Sequence, residues 1–283
     1  MGAADGAVYG RHSAQVDGLE VNYFRGGRLE RHAPVVYLHG MGPAGRWDSF
    51  HMALGTVTDV WAPQLPGWAD GAPPEGVGAL ADYARLVRGL LDGVGVNEAT
   101  LVGHCVGGWV ALQLAAEQPE RFQRLALVDP LGLSWDDAPA VNMAGLDEEE
   151  FATGMFARLG MVATADRTGF GTEWQNVRQG PEFMRQSKGR ETLAKLSDGI
   201  GDAGLTRAVE ALTADTLLAW GAVDGIAPVS QGERLRARMA NARLAVVDGA
   251  GHLPMAERPE TMNRLLRDFI IGLDETVPNV EWR

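Results

Sequence analysis

The stretch Thr100-Leu101-Val102-Gly103-His104-Cys105-Val106-Gly107-Gly108-Trp109-Val110-Ala111 decides the fold. A short apolar run passes through Gly-His-Cys-Val-Gly into a segment of helical period, so a strand becomes a helix within a few residues. Gly103 and Gly107 flank the turn because so tight a bend leaves no room for Cβ atoms, and Gly108 lets the new helix pack close. The bend pushes one side chain into the open. That side chain is Cys105, at a helix N-terminus where the dipole and free amides favour a thiolate. The plainer reading of a lone cysteine is a small buried core residue, and the flanking glycines weigh against it.

Outward from this elbow the chain keeps one rhythm. Residues 8–14 and Leu19 to Phe24 alternate loosely around Val16-Asp17-Gly18, which predicts an opening antiparallel hairpin. Short apolar runs follow at Val35 to Leu38, Val57 to Ala62, Thr100 to Val102, Leu125 to Val128, Thr216 to Trp220 and Leu244 to Val247. Such runs read as strands buried on both faces. Helix-period stretches lie between them at Leu80 to Leu91, Val106 to Glu117, Ser230 to Met239 and Pro259 to Ile271. The alternation predicts an α/β fold with a doubly wound, mostly parallel sheet.

Residues 131–214 break the rhythm, with helical patterns at Glu148 to Arg158 and Glu182 to Leu196 and no strand-like run. A connection of that length is improbable as bare loop, so it is expected to fold as a helical cap over the carboxyl ends of the strands. The domain expectation is therefore a core of 1–130 and 215–283 carrying an inserted cap of 131–214. Met143, Phe151, Met155, Phe156, Met161, Phe170, Trp174, Phe183 and Met184 are expected mostly to fill the cap's own interior, a few lining a pocket.

Composition narrows the partners. The 283 residues carry 37 acidic and 25 basic side chains, a net charge of -12, which repels phosphate backbones and argues against nucleic-acid binding. With one cysteine there is no intrachain disulfide and no cysteine-based metal finger. Residues 1–10 lack a basic flank followed by an apolar stretch, and no apolar run approaches the roughly 20 residues of a membrane helix. Cytoplasmic residence with no membrane association is the expectation. No cofactor or metal is expected either.

Three further motifs stand in order around the elbow. Leu38-His39-Gly40-Met41-Gly42 follows a strand, Trp220-Gly221-Ala222-Val223-Asp224-Gly225-Ile226-Ala227-Pro228 follows another, and Val247-Asp248-Gly249-Ala250-Gly251-His252-Leu253-Pro254 follows a third. With the Cys-centred elbow, the chain resembles the α/β-hydrolase superfamily over nearly its whole length. It is most similar to the capped group of esterases, thioesterases, lactonases, carbon-carbon bond hydrolases and epoxide hydrolases. The resemblance implies Cys105 as nucleophile, His252 as general base and Asp224 as the acid that orients it, in this fold's usual chain order. It implies the backbone N–H groups of Met41 and Val106 as an oxyanion hole, with His39 shaping the loop. Asp129, after the strand ending at Val128, competes for the acid's role, since some members of the superfamily place it there. Asp224 as a helix cap and His252 as a loop residue bonded to backbone are the plainer alternatives. Gly40, His104, Trp109, Trp68, Phe151 and Met155 are candidate pocket residues, and His12, His32 and His51 are read as structural or exposed.

Two departures limit what carries over. The family often shows Asp-x-x-Gly-x-Gly-x-Ser where this chain reads Gln64-Leu65-Pro66-Gly67-Trp68-Ala69-Asp70-Gly71. Most relatives also use serine, whereas the cysteine-bearing dienelactone hydrolases lack a comparable cap. The implied chemistry is attack of Cys105 on an ester, lactone or thioester, followed by hydrolysis or acyl transfer. The rivals are cofactor-free carbon-carbon hydrolase, lyase or oxygenase chemistry centred on His252, a ligand-binding module, and a Ser→Cys form of a serine esterase. The substrate is expected to be a small molecule with an apolar or uncharged acyl group, and a homodimer would leave no signature in one sequence.

Overall fold

Alternation along the short apolar strands divides the interior into two layers, one on each face of a single sheet. The computed structural model describes residues 9–28, 32–40, 47–68, 73–133, 135, 145–146, 148–157, 192–193, 196, 203–273 and 277–283. Strands β1 (Tyr9–Val16) and β2 (Leu19–Gly27) form the hairpin, turning at Asp17 and Gly18, both with positive φ as a two-residue hairpin turn requires. Strands β3 (Val35–Leu38), β4 (Asp59–Pro63), β5 (Thr100–His104), β6 (Arg124–Val128), β7 (Asp215–Gly221) and β8 (Ala242–Val247) form the parallel body. A short β9 (Val280–Trp282) runs antiparallel along β8 and closes that edge. The order β1-β2-β4-β3-β5-β6-β7-β8-β9 makes a sheet that is antiparallel only at its ends. This is the doubly wound arrangement expected from the alternation of elements.

Period-two alternation assigns each strand's residues to the two layers. Val36, Leu38, Leu101, Leu125, Leu127 and Leu218 point to one side, where α2 (Leu80–Gly93), α3 (Val106–Glu117) and α6 (Val229–Arg238) cover them. Val35, Val102, Ala126, Val128, Leu217 and Val247 point to the other, under α1 (Ser49–Gly55) and α8 (Pro259–Ile271). Burial of each such large aliphatic side chain contributes about 1.5–3 kcal/mol. Loss of a sheet-facing leucine of α3 is thus a large perturbation of the platform that holds the elbow. Helix α7 (Pro254–Glu257) is a single turn after β8.

The sheet departs from the sequence reading in small ways. β5 extends through Gly103 and His104 because both stay paired with Leu127 and Val128 of β6, so the bend starts later than the apolar run suggests. Of residues 131–214 the described part includes α4 (Glu148–Met155) and α5 (Ala203–Glu210). Helix α5 buries Leu205 and Val209 in the layer of α3. Met143, Met161, Phe170, Trp174, Phe183 and Met184 lie outside the described residues, as does Met41.

Candidate active site

The elbow is built by backbone constraints, and they do not push the cysteine into the open as the glycines suggested: Cys105 is 1% exposed and packs in the layer of α3, because Gly40 and the His252 loop close over it. Cys105 has φ 56° and ψ -121°, a left-handed conformation that a residue with a Cβ adopts only when its surroundings impose it. They do so through four hydrogen bonds. Cys105 donates its N–H to the Val128 carbonyl (3.0 Å), and its own carbonyl accepts from Gly108 (3.0 Å), Trp109 (3.2 Å) and Leu131 (3.1 Å). Gly107 is required because a Cβ there would run into the Leu38 carbonyl. Gly40 is equally constrained: a Cβ would stand 2.6 Å from that of Cys105, so the His-Gly loop lies directly against the cysteine. Val106, the first residue of α3, has an N–H that no helical carbonyl can accept, leaving it available beside Cys105.

His252 and Asp224 arrive from the two neighbouring strand ends. Imidazole Nδ1–H of His252 donates to Asp224 Oδ2 at 2.8 Å, and both side chains are wholly buried. Among the described residues the other ring nitrogen, Nε2, meets no polar partner except the Cys105 thiol. Burial disfavours the imidazolium, yet the Asp224 carboxylate and Cys105 more than offset this and raise the His252 pKa well above the ordinary imidazole value. Asp224 also accepts the N–H groups of Ile226 (2.7 Å) and Ala227 (2.8 Å) on Oδ1, so it serves as a loop cap with one oxygen and as the histidine's partner with the other.

The other histidines of the site are neutral supports. Nε2–H of His104 donates to the His252 carbonyl at 2.8 Å, the two rings 5.4 Å apart, and burial with the neighbouring His252 pulls the His104 pKa down to about 3. His39 Nε2 accepts from the Leu65 N–H (2.9 Å), which leaves the proton on Nδ1 to donate to the Gly40 carbonyl (3.0 Å). Burial pulls its pKa down to about 4, so His39 shapes the loop and carries no charge. His51 pairs with Asp48 at 2.7 Å at the start of α1 and packs edge-on against Tyr37.

The pocket candidates divide. Gly40 and His104 touch the cysteine and histidine loops as above. Trp68 and Trp109 are buried in the layer of α3, and Trp109 is so closely covered that a Cβ at Gly132 would collide with its indole. Phe151 lies in α4, but its side chain is outside the described residues. Met155, at the end of α4, is buried, and its carbonyl accepts the His252 N–H at 2.9 Å.

That last bond belongs to a set the sequence did not suggest. The Gly154 carbonyl accepts the Gly225 N–H (3.0 Å), and the Glu257 carboxylate takes the N–H groups of Ala157 (2.8 Å) and Gly251 (2.6 Å). The end of α4 therefore ties together the loops carrying Asp224 and His252. The backbone bonds among these have no residue-type signature in the sequence.

An alpha/beta hydrolase family model matches residues 35–265, which span all of the strands and loops just described except the opening hairpin and β9. The chain belongs to the alpha/beta hydrolase family. It is 29% identical over 255 residues to a 2-hydroxy-6-oxo-6-phenylhexa-2,4-dienoate hydrolase of Comamonas testosteroni, covering 83% of this chain and 87% of that one. It is also 29% identical over 253 residues to a 2-hydroxy-6-oxononadienedioate/2-hydroxy-6-oxononatrienedioate hydrolase of the same organism, with the same coverage. Among solved structures, a bacterial membrane phospholipase A superposes with a TM-score of 0.77 at 24% identity, over 96% of this chain and 88% of that one. The family makes the protein a hydrolase of this fold. Among the described residues no helix is long and apolar enough to cross a membrane.

Proposed function

We propose that this hydrolase opens an ester, lactone or thioester through a covalent thioester on Cys105, with His252 and Asp224 completing a triad. The single observation that carries the proposal is a strained, positive-φ Cys105 beside a buried His252 whose far nitrogen is committed to Asp224. In the first step the Cys105 thiol proton passes to His252 Nε2. The Cys105 sulfur attacks the substrate carbonyl carbon, and the resulting oxyanion is held by the Val106 N–H and, as the family resemblance implies, that of Met41. Collapse breaks the bond to the leaving group, which takes the proton from His252. Neutral His252 then removes a proton from water as its oxygen attacks the thioester, and the acid product leaves with Cys105 and His252 restored. An amine or thiol acceptor in place of water gives acyl transfer by the same steps. In this reading residues 131–214 act as the cap that encloses the acyl group.

A second reading is carbon-carbon hydrolysis, favoured by the names of the two Comamonas relatives, each matched over most of both chains. The leaving group is then a carbon acid, and His252 delivers its proton to carbon. A short-chain p-nitrophenyl ester, its thioester and a 2-hydroxy-6-oxo-dienoate, each offered to wild type, Cys105→Ala and His252→Ala, separate the two. The first reading expects ester and thioester turnover that both substitutions abolish. Turnover of the dienoate alone, retained in Cys105→Ala and lost in His252→Ala, would replace it with the second.

A further inference from the structure

Asp129 is a second buried carboxyl that the proposed chemistry leaves unused. It follows β6 directly, has φ 43°, and is wholly inaccessible to solvent. Its N–H donates to the Ala219 carbonyl (3.1 Å) and its Oδ1 accepts the Gly221 N–H (2.9 Å), so the neighbouring strand β7 pins both its backbone and its side chain. Among the described residues Oδ2, fully buried, meets no hydrogen-bond donor and faces only the carboxyl of Asp224. A non-glycine residue held at positive φ to aim a carboxyl at another carboxyl is a costly arrangement unless a proton lies between them.

We propose that Asp129 is a neutral carboxylic acid whose Oδ2–H donates to Asp224, making Asp129 a positioning residue for the Asp224–His252 pair. The proton goes to Asp129 because the two carboxyls have different partners. Asp224 faces the imidazole and two loop amides, all of which favour its ionised form. Asp129 has one amide and no cation in contact, and burial followed by the adjacent Asp224 charge raises its pKa well above the usual carboxylate range. The donor count agrees. A carboxylate offers about four lone-pair sites, and Asp224 with two amides and one imidazole N–H has room for one more donor.

The chain thus reads Asp129–H, Asp224, His252, Cys105. Among the described residues the other titratable groups around it are His104 from β5, itself bonded to the His252 carbonyl, His39 and Tyr37 from the β3 side, and Glu257 from α7 at the Gly251 N–H. The added hydrogen bond fixes the Asp224 carboxylate plane. It also draws charge from Asp224, which moderates how strongly His252 holds its proton.

Aspartate-selective carboxyl ¹³C NMR over a pH series, with the His252 ring titration and thermal unfolding, tests this on wild type and Asp129→Asn. The amide of Asn keeps both the donor to Asp224 and the acceptor for Gly221. Expected is one protonated aspartate carbon at pH 7 in wild type that is missing from the variant, with the His252 titration moved by less than roughly half a unit. A raised folded pKa gives stability that is complete below the unfolded carboxyl value of about 3.9 and is lost as pH rises toward the folded one. The melting temperature of Asp129→Asn should therefore gain on wild type as pH climbs from about 4. No protonated carbon at pH 7, a His252 titration lowered by about a unit or more in the variant, or a variant melting temperature that falls relative to wild type as pH rises would each overturn the proposal. None of these readouts needs turnover, so the result stands whichever bond the enzyme cleaves and whether or not Cys105 is the nucleophile.

Discussion

Asp129 and Asp224 stand just past the carboxyl ends of adjacent parallel strands, yet the chain handles them differently. After β6 the backbone turns at once, with positive φ, and folds Asp129 back against the Gly221 N–H of the next strand. After β7 it runs on through Gly221, where a Cβ would strike the Gly251 carbonyl, and the three further residues carry Asp224 out to His252. The difference teaches that in this chain strand position alone does not decide which carboxyl meets His252. The reach of the loop beyond the strand does, and the carboxyl left behind becomes a support for the one that reaches.

The comparison breaks most visibly at the histidine's partner. Asp224→Asn should lower kcat/KM by about 10⁴-fold with the fold intact, as seen when a triad carboxylate is neutralised, whereas Asp129→Asn should stay within about threefold. Steady-state kinetics on whichever substrate class is turned over, with circular dichroism as the folding control, reads both. Equal losses would mean the two carboxyls share one role.

The pH profile sharpens the same contrast. Activity that needs the imidazolium to protonate the leaving group is kept below the raised His252 pKa and falls as pH rises through it. Replacing Asp224 by Asn removes the charge that raises that pKa, so the alkaline limb should move down by about one to three units. Asp129→Asn should leave it in place, and a profile identical in all three proteins would contradict this assignment of the proton.

Smaller effects belong to the frame around the pair. Gly221→Ala puts a methyl group against the Gly251 carbonyl and should cost about 1–3 kcal/mol of stability while loosening both aspartates at once. Glu257→Gln exchanges one acceptor for a donor opposite the Ala157 or Gly251 N–H and should cost about 1–2 kcal/mol. Urea unfolding measures each. A Glu257→Gln protein of unchanged stability would show that the tie between the end of α4 and the His252 loop is not holding them.

How much of this was legible in the sequence follows from the range of each signal. The elbow was readable because its three glycines cluster within six residues of one strand-to-helix bend, although Gly107 and Gly108 answer the distant Leu38 and Pro130, and the parallel strands because burial on both faces leaves unbroken apolar runs. Asp224 and His252 were readable as ordered motifs, while Asp129 stood only as a rival acid, since nothing local says that a carboxyl will face another carboxyl. Helix α1 was missed although Asp48 caps it, because seven residues are too few to show a period, and three-residue β9 was missed for the same reason. The bonds from Gly154 and Met155 to the Asp224 and His252 loops use backbone atoms, which any residue supplies.

Intact-protein mass spectrometry after acid quench tests the central proposal most directly, with wild type and Cys105→Ala mixed with a short-chain activated ester and its thioester. The account predicts a mass gain equal to the acyl group on wild type alone, decaying as the acid product forms. Turnover by Cys105→Ala at the wild-type rate, with no adduct on either protein, would contradict it.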